Sequence, residues 1–156
     1  MIGSIAGLFA SPIGGVPKPR VDALQVTING CEGDRQNDLK HHGGPSRAVC
    51  LMSMDVMKQL QNEGHPISGG TTGENLLING IAWTEFKVGS VLQTGEVTLR
   101  ITSDAPPCKT IKASFLDGKF KSLSHKMLPQ KTRWYAEVLR EGVLYQGETI
   151  RIECIN

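Results

Sequence analysis

The chain has 156 residues, of which 39% are hydrophobic and 21% are charged, and its formal net charge is +2. This length and balance are typical of one globular domain over residues 1–156, and they exclude a disordered or fibrous chain. The small net charge gives no broad positive field, so we expect no nucleic-acid partner, and any anion site must be local.

The hydropathy pattern predicts a cytoplasmic protein with no membrane partner. The first segment, MIGSIAGLFASPIGG, lacks a charged start, and Ser4, Ser11 and Pro12 interrupt its short apolar stretch, so we expect no signal peptide. No run approaches the roughly 20 apolar residues that a membrane-spanning helix needs. The cysteines at positions 31, 50, 108 and 154 form no CxxC pair, and we expect free thiols rather than a zinc site or disulfides.

Short apolar segments separated by glycine and proline predict a chain of β-strands. The pattern over residues 90–102, with Gly95 at its centre, indicates a hairpin. In chain order, the predicted strands cover residues 2–9, 23–28, 48–52, 75–81, 85–88, 91–94, 96–103, 133–139 and 148–155.

One helix is predicted directly after residue 53. Ser53 is a suitable N-cap, an apolar face follows at Val56, Met57 and Leu60, and Gly64 lies beyond the end. The stretch from residue 109 to 131 is lysine-rich and less regular. Six or more strands against one or two helices favour a mainly β (α+β) domain, a closed or nearly closed β-barrel decorated with a few helices.

The first candidate site segment is KHHGGPSR, residues 40–47. Its glycines let backbone N–H groups approach an anion closely, and Lys40 and Arg47 add charge, so the segment could hold a phosphate. Because neighbouring side chains of a strand point to opposite faces, at most one of His41 and His42 is expected to reach a given site. A solvated turn with surface histidines is an equally good interpretation of the same residues.

The second segment is GGTTGENL, residues 69–76. Paired threonine hydroxyls and a glycine-rich backbone suit phosphate or pterin contacts, while Glu74 and Asn75 could hydrogen-bond the edge of a heterocycle. It is not a Walker loop, because no GK[ST] follows. A simple β-turn that enters a strand is the more frequent explanation of such a segment.

The third segment is DAPPCKT, residues 104–110. Two prolines stiffen the approach to Cys108, and the adjacent Lys109 would favour its thiolate, which is both a nucleophile and a soft metal ligand. A small buried hydrophobe is the alternative, but the stiff polar setting favours function. The remaining cysteines are expected to be structural or incidental: Cys31, Cys50 and Cys154. Neither GxSxG nor HExxH is present, so hydrolase chemistry is not indicated.

Taken in order, these segments resemble the MOSC family, which is named after the C-terminal domain of molybdenum cofactor sulfurase. GDRQNDLKHHGGPSRAV resembles the family's acidic start, HGG and Ala-Val strand, and GGTTGENLLINGI resembles its GENL turn. VGSVLQTGEVTLRITSDAPPCKTI resembles the strand pair that leads into the motif cysteine, and RWYAEVLREGVLYQGETIRI resembles the closing Tyr, Val-Leu and Gly-acidic pattern. Together the matches cover nearly the whole chain.

The resemblance implies a barrel-like fold and, in catalytic members, a bound molybdenum cofactor whose protein ligand is the motif cysteine. Here that catalytic and metal-binding residue would be Cys108. The cofactor would be of the molybdopterin type, with or without a nucleotide, and pyridoxal phosphate is not expected. The candidate cofactor contacts are His42, Gly43, Arg47, Thr72, Glu74, Asn75, Lys109 and Arg133.

The chain departs from the family pattern near the proposed site. Thr71 and Thr72 replace an aromatic residue, and residues 103–105 lack the arginine often found before the cysteine. Arg133 stands where glycine is common and offers positive charge instead.

Members with known activity reduce N-hydroxylated substrates, so we expect a reductase of N-hydroxylated or N-oxide-like small molecules. No iron–sulfur or flavin domain follows in the sequence, so electrons would come from a separate donor protein. Two alternatives stay open. Cys108 could carry a persulfide, received from a sulfur donor, for metal-cofactor sulfuration, or the barrel could bind a cofactor or partner without catalysis. The oligomeric state is not indicated.

Overall fold

A computed structural model of the chain describes residues 1–37, 40 and 42–153. His41 and Cys154, both considered above, lie outside the described residues. The strands are β1 (Ile2–Phe9), β2 (Arg20–Val21), β3 (Ala23–Thr27), β4 (Gly30–Cys31), β5 (Val49–Ser53), β6 (Leu76–Asn79), β7 (Val91–Thr94), β8 (Val97–Ala105), β9 (Arg133–Arg140), β10 (Gly142–Tyr145) and β11 (Thr149–Glu153).

Seven of these strands close into a barrel, which confirms the predicted mainly β fold. The pairing order is β11-β7-β8-β9-β5-β6-β1, and β1 pairs back with β11 through Ile2 opposite Arg151. All neighbours in the barrel are antiparallel except β5 and β6, which are parallel. β2 extends β1 at one edge, and a small separate sheet has the order β10-β3-β4.

The parallel pair requires a crossover, and α1 (Met54–Asn62) begins it. The predicted cap is confirmed, since the Ser53 hydroxyl accepts a hydrogen bond from the backbone N–H of Val56 at 3.2 Å. Val56, Met57 and Leu60 are buried, as the pattern predicts. Among the described residues this is the one α-helix; the short 3₁₀ helices are Pro45–Arg47, Trp83–Glu85, Lys109–Ser114, Leu116–Gly118, Phe120–Leu123 and Pro129–Lys131.

The predicted strand over residues 85–88 is wrong. The chain instead turns through a 3₁₀ helix at Trp83–Glu85, so that the Trp83 ring packs 4.1 Å from the Phe86 ring. The Trp83 indole N–H also donates to the carbonyl of Thr132 at 2.6 Å. Burying both aromatic rings against distant residues outweighs the local preference for extension. The short strands β2, β4 and β10 were not predicted.

Strand β9 is buried on both faces, and this positions the site described below. Trp134 and Ala136 belong to the main hydrophobic core, whereas Tyr135 clusters separately with Cys50 and Ala105. Because successive side chains of a strand alternate, Arg133 and Tyr135 share the face opposite to Trp134. That face forms the floor of a cleft.

No helix in residues 1–37, 40 or 42–153 combines the length and the apolar character that crossing a membrane requires.

Candidate functional site

A cleft of about 220 Å³ lies over β5 and β9. Its floor includes Cys50, Arg133 and Tyr135. Cys50 and Tyr135 are direct cross-strand partners, so their side chains stand on the same face of the sheet. The walls come from loops that connect the strands, including all three of the segments predicted to carry the site.

The structure brings seven of the nine predicted site residues to this cleft. These are His42, Gly43, Arg47, Thr72, Asn75, Cys108 and Arg133. It does not bring Glu74 or Lys109 there. Lys109 is exposed and does not line the cleft, and Glu74 is completely buried.

Cys108 stands at the end of the Pro106-Pro107 approach and begins the 3₁₀ helix Lys109–Ser114. Its side chain is partly exposed, and its Sγ lies 2.7 Å from the hydroxyl oxygen of Thr110, which also lines the cleft. The Thr110 hydroxyl can therefore donate to the sulfur when it is a thiolate. This contact places the Thr110 hydroxyl beside the sulfur at the cleft.

The other described thiols are less reactive. Cys31 and Cys50 are buried, and burial raises the pKa of both thiols, which keeps them protonated. Cys31 donates to the carbonyl of Ala48 at 3.4 Å, in keeping with the expected structural role. Cys50 lines the cleft floor, a position that the sequence did not indicate.

The Arg133 guanidinium joins two walls of the cleft. Only 4% of the residue is exposed, and it donates to the carbonyl of Thr72 on one side. On the other side it donates to the carbonyls of Ala105 at 3.3 Å and Pro106 at 3.2 Å. Its Nε is buried, with no hydrogen-bond partner among the described residues. Neutral carbonyls leave the guanidinium charge in place, so this part of the cleft suits an anionic ligand.

Glu74 organises the loop over residues 70–74 from inside. Its carboxyl oxygens accept hydrogen bonds from the backbone N–H of Gly70 and from the Thr72 hydroxyl, both at 2.5 Å. Burial raises the pKa of this carboxyl above its usual value. At Gly70, with φ +83°, a Cβ would lie 2.1 Å from the carbonyl oxygen of Lys18, so only glycine allows this approach. Glu74 therefore shapes the loop rather than the cleft surface.

A buried polar network fixes the opposite wall. The Asn75 amide accepts from the N–H of Cys50 at 3.0 Å and donates to the carbonyl of Phe9 at 3.1 Å and to Asp34 at 2.8 Å. Asp34 also forms an ion pair with Lys18 at 2.7 Å, with side chains only 2% and 6% exposed. Lys18 also lines the cleft, where its ion pair with Asp34 partly neutralises its charge.

A tyrosine–histidine pair completes the floor. The Tyr135 hydroxyl lies 2.8 Å from Nδ1 of His42, and burial raises the pKa of Tyr135, so the phenol keeps its proton. Arg47 holds the same loop by donating to the carbonyls of Gly43 and Lys40, each at 3.1 Å. Of the cleft residues that the sequence did not single out, Tyr135 lay in the quoted closing motif, whereas Lys18 lay in none.

A family model for the MOSC domain matches residues 38–151. The chain belongs to the MOSC domain family. This family is associated with binding of molybdenum cofactor.

Two curated relatives match most of this chain. The uncharacterized protein YflK of Bacillus subtilis (strain 168) is 26% identical over 136 residues, which is 86% of this chain and 61% of YflK. Protein YiiM of Escherichia coli (strain K12) is 28% identical over 132 residues, 81% of this chain and 58% of YiiM. The chain thus spans about three fifths of the length of these relatives.

Solved structures show the same fold. The YuaD protein of Bacillus subtilis superimposes with a TM-score of 0.76 at 17% identity, covering 100% of this chain and 98% of YuaD. YiiM of Geobacillus stearothermophilus gives a TM-score of 0.72 at 18% identity, covering 97% of this chain and 75% of that protein.

The register of β8 on β9 places Arg133 at the end of residues 103–105, which contain no arginine. Ala105 at the end of β8 is the direct partner of Arg133 at the start of β9. The guanidinium of Arg133 therefore reaches the approach to Cys108 from the neighbouring strand. Positive charge is present beside the motif cysteine, although it comes from another part of the sequence.

Proposed function

We propose that this MOSC domain binds molybdenum cofactor in the cleft, with the Cys108 thiolate as the protein ligand to molybdenum. We further propose that the loaded protein reduces N-hydroxylated or N-oxide-like small molecules. The observation that carries the proposal is the position of Cys108, a partly exposed thiol facing a cleft that three cationic side chains also line.

The residues present fit such a cofactor. A thiolate is a soft ligand that suits a metal already bound to sulfur, and a molybdopterin-type group carries an anionic phosphate. Lys18, Arg47 and Arg133 supply positive charge, and the buried Arg133 Nε is a donor with no partner among the described residues. Asn75 and Thr72 place polar groups along the same cleft.

The cofactor, when bound, would supply the two-electron chemistry that removes oxygen from the substrate. The chain binds and orients it through Cys108 and the three cations. The Thr110 hydroxyl holds the Cys108 sulfur in place. The Tyr135 phenol keeps a proton at its hydroxyl oxygen, beside Nδ1 of His42. Electrons would come from a separate donor protein.

Molybdenum and pterin content tests the binding. The native chain, Cys108→Ala and the matched control Cys31→Ala are expressed in a host that makes the cofactor. We expect near-stoichiometric molybdenum in the native chain and in Cys31→Ala, and loss of it in Cys108→Ala. Turnover of an N-hydroxylated compound with a chemical reductant should follow the same order. A native chain without metal and pterin would contradict the proposal.

A sulfur carrier is the second candidate, because Cys108 is the partly exposed thiol whereas Cys31 and Cys50 are buried. A thiolate at Cys108 would attack a donor persulfide and take over its outer sulfur, releasing the donor thiolate. Intact-protein mass after incubation with a cysteine desulfurase and cysteine tests this. A carrier gains one sulfur atom at Cys108 and loses it to dithiothreitol, whereas an unchanged mass contradicts this candidate.

A further inference from the structure

The charge of the chain is concentrated in residues 109–131, here called the lysine-rich segment. Its six lysines and one aspartate give a net charge of +5, whereas the whole chain has +2, so the remaining residues carry −3. Five of the lysines are exposed: Lys109, Lys112, Lys119, Lys121 and Lys126. Lys131 is largely buried and forms an ion pair with Glu63 at 3.0 Å.

The fold keeps the lysine-rich segment in place with its lysines outward. Ile111, Phe115 and Leu123 are buried in the main core. Successive 3₁₀ turns connect these anchors. Lys112, Lys119 and Lys121 lie between them, whereas Lys109 precedes Ile111 and Lys126 follows Leu123. Within residues 1–37, 40 and 42–153, none of the five exposed lysines forms an ion pair. Their charge is therefore available to another molecule.

The lysine-rich segment is also one wall of the cleft. It begins at the residue after Cys108, and its Thr110 and Ile111 line the cleft. A 3₁₀ helix rises about 2 Å per residue, so the backbone of Lys112 lies within about 8 Å of that of Cys108 along the helix. The first two exposed lysines of the segment, Lys109 and Lys112, thus lie next to the proposed metal ligand.

We propose that the exposed lysines of the lysine-rich segment form the docking surface of an acidic electron-donor protein. This rests on the proposed function, which needs such a donor. A positive surface on an otherwise negative molecule attracts an acidic partner and orients it on the side of Cys108. Per turnover the donor gives up two electrons, and the N-hydroxylated substrate takes them up with two protons, yielding the N–H compound and water.

An acidic protein fits this surface better than single-stranded nucleic acid does. Binding of single strands combines positive charge with aromatic side chains on which bases stack. The ring-bearing side chains of the lysine-rich segment are Phe115, which is buried, Phe120, which is partly buried and packs on the core, and His125, whose ring packs edge-on against Trp134. The segment therefore offers charge without an exposed stacking surface.

Two variants of equal charge change test the docking surface. The segment variant carries Lys112→Gln, Lys119→Gln, Lys121→Gln and Lys126→Gln. The control removes four exposed positive charges elsewhere, through Lys58→Gln, Lys87→Gln, Arg140→Gln and Arg151→Gln. The probes are a flavodoxin and a plant-type ferredoxin, both acidic. Binding of each probe to the protein as isolated from a cofactor-producing host is measured by calorimetry at about 20 mM and about 300 mM salt.

We expect the segment variant to bind the better probe about tenfold more weakly than the native protein at low salt. The control should differ by less than about twofold, and high salt should remove the difference. Three results would overturn the proposal: equal binding by the segment variant, an equal loss in the control, or lysine-dependent binding to single-stranded DNA or phosphatidylglycerol vesicles with none to either probe. Molybdenum content, measured on the same samples, tests the proposed cofactor binding independently of donor docking.

Discussion

At the scale of single residues, Arg133 determines how the two key loops meet. It is buried beside Cys50 and Tyr135, and its three hydrogen bonds connect the loop of Thr72 with the approach to Cys108. A lysine at this position could not span both loops, because its ammonium lacks the planar fork of donors. Arg133 therefore connects the two loops at the floor of the cleft.

Arg133→Met should lower the free energy of unfolding by about 2–4 kcal/mol, because it leaves buried carbonyl oxygens without donors. Urea unfolding followed by tryptophan fluorescence measures the change. Arg140→Met, at the exposed end of the same strand, is the control and should change stability by less than about 0.5 kcal/mol. If Arg133→Met lowers the free energy of unfolding by no more than the small change expected of Arg140→Met, the Arg133 hydrogen bonds contribute little to stability.

Glu74 makes stability depend on pH. Its pKa is raised above the usual 4.5, so the folded protein retains a proton that the unfolded chain releases. The free energy of unfolding therefore decreases as pH rises above about 4.5, until the folded carboxyl also ionises.

Glu74→Gln removes this dependence, so the stability of the native protein relative to the variant should be greater at about pH 5 than at about pH 8. Urea midpoints at the two pH values test this. The exposed Glu153→Gln should show no such trend. A difference between native protein and Glu74→Gln that stays constant or grows with pH would contradict the buried, protonated carboxyl.

The residues of the site could be predicted only where they share a motif. Cys108, His42 and Asn75 lie in short glycine- or proline-containing segments whose chemistry is visible in sequence. Cys50 and Lys18 have no such signal, because the register of β5 on β9 and the ion pair with Asp34 bring them to the cleft. Glu74 lies in the predicted loop, but its carboxyl group turns inward, where it accepts hydrogen bonds from a backbone N–H and a hydroxyl.

At the scale of elements, the sequence pattern correctly predicted those strands and turns that depend on interactions between neighbouring residues. Strand β1 has the predicted bounds, and the hairpin of β7 and β8 forms around Gly95 as expected. The turn that replaces the predicted strand at residues 85–88 could not be predicted from neighbouring residues. It depends on the hydrogen bond from the Trp83 indole to the carbonyl of Thr132, which is distant in sequence. Strands β2 and β4 have two residues each, too few for an alternating pattern to be seen.

Helix α1 gives a prediction at this scale. Ser53→Ala removes the hydroxyl that caps the first turn, so the free energy of unfolding should fall by about 1 kcal/mol. Thermal or urea unfolding measures the loss. Ser46→Ala, at an exposed serine, is the control and should be nearly neutral. A neutral Ser53→Ala would mean that packing of the apolar face, rather than the cap, holds the helix start.

At the scale of the whole molecule, barrel closure and charge distribution are the two features that relate fold to function. Closure pairs β1 with β11 and lets β5 and β9 present a rigid outer face, on which Arg133 and Tyr135 stand. The lysine-rich segment, which begins at the cleft, has a net charge of +5, and the remaining residues carry −3. The net charge of +2 conceals this separation, which is why composition alone could not reveal it.

X-ray absorption at the molybdenum edge tests most directly whether Cys108 ligates the metal. The samples are the native protein and Cys108→Ser, loaded in the same host, with molybdenum content measured on each. We expect one sulfur ligand more in the native protein than in Cys108→Ser, where an oxygen ligand should replace it. Equal sulfur numbers at equal molybdenum content would show that the metal is held without Cys108, and would contradict ligation by this residue.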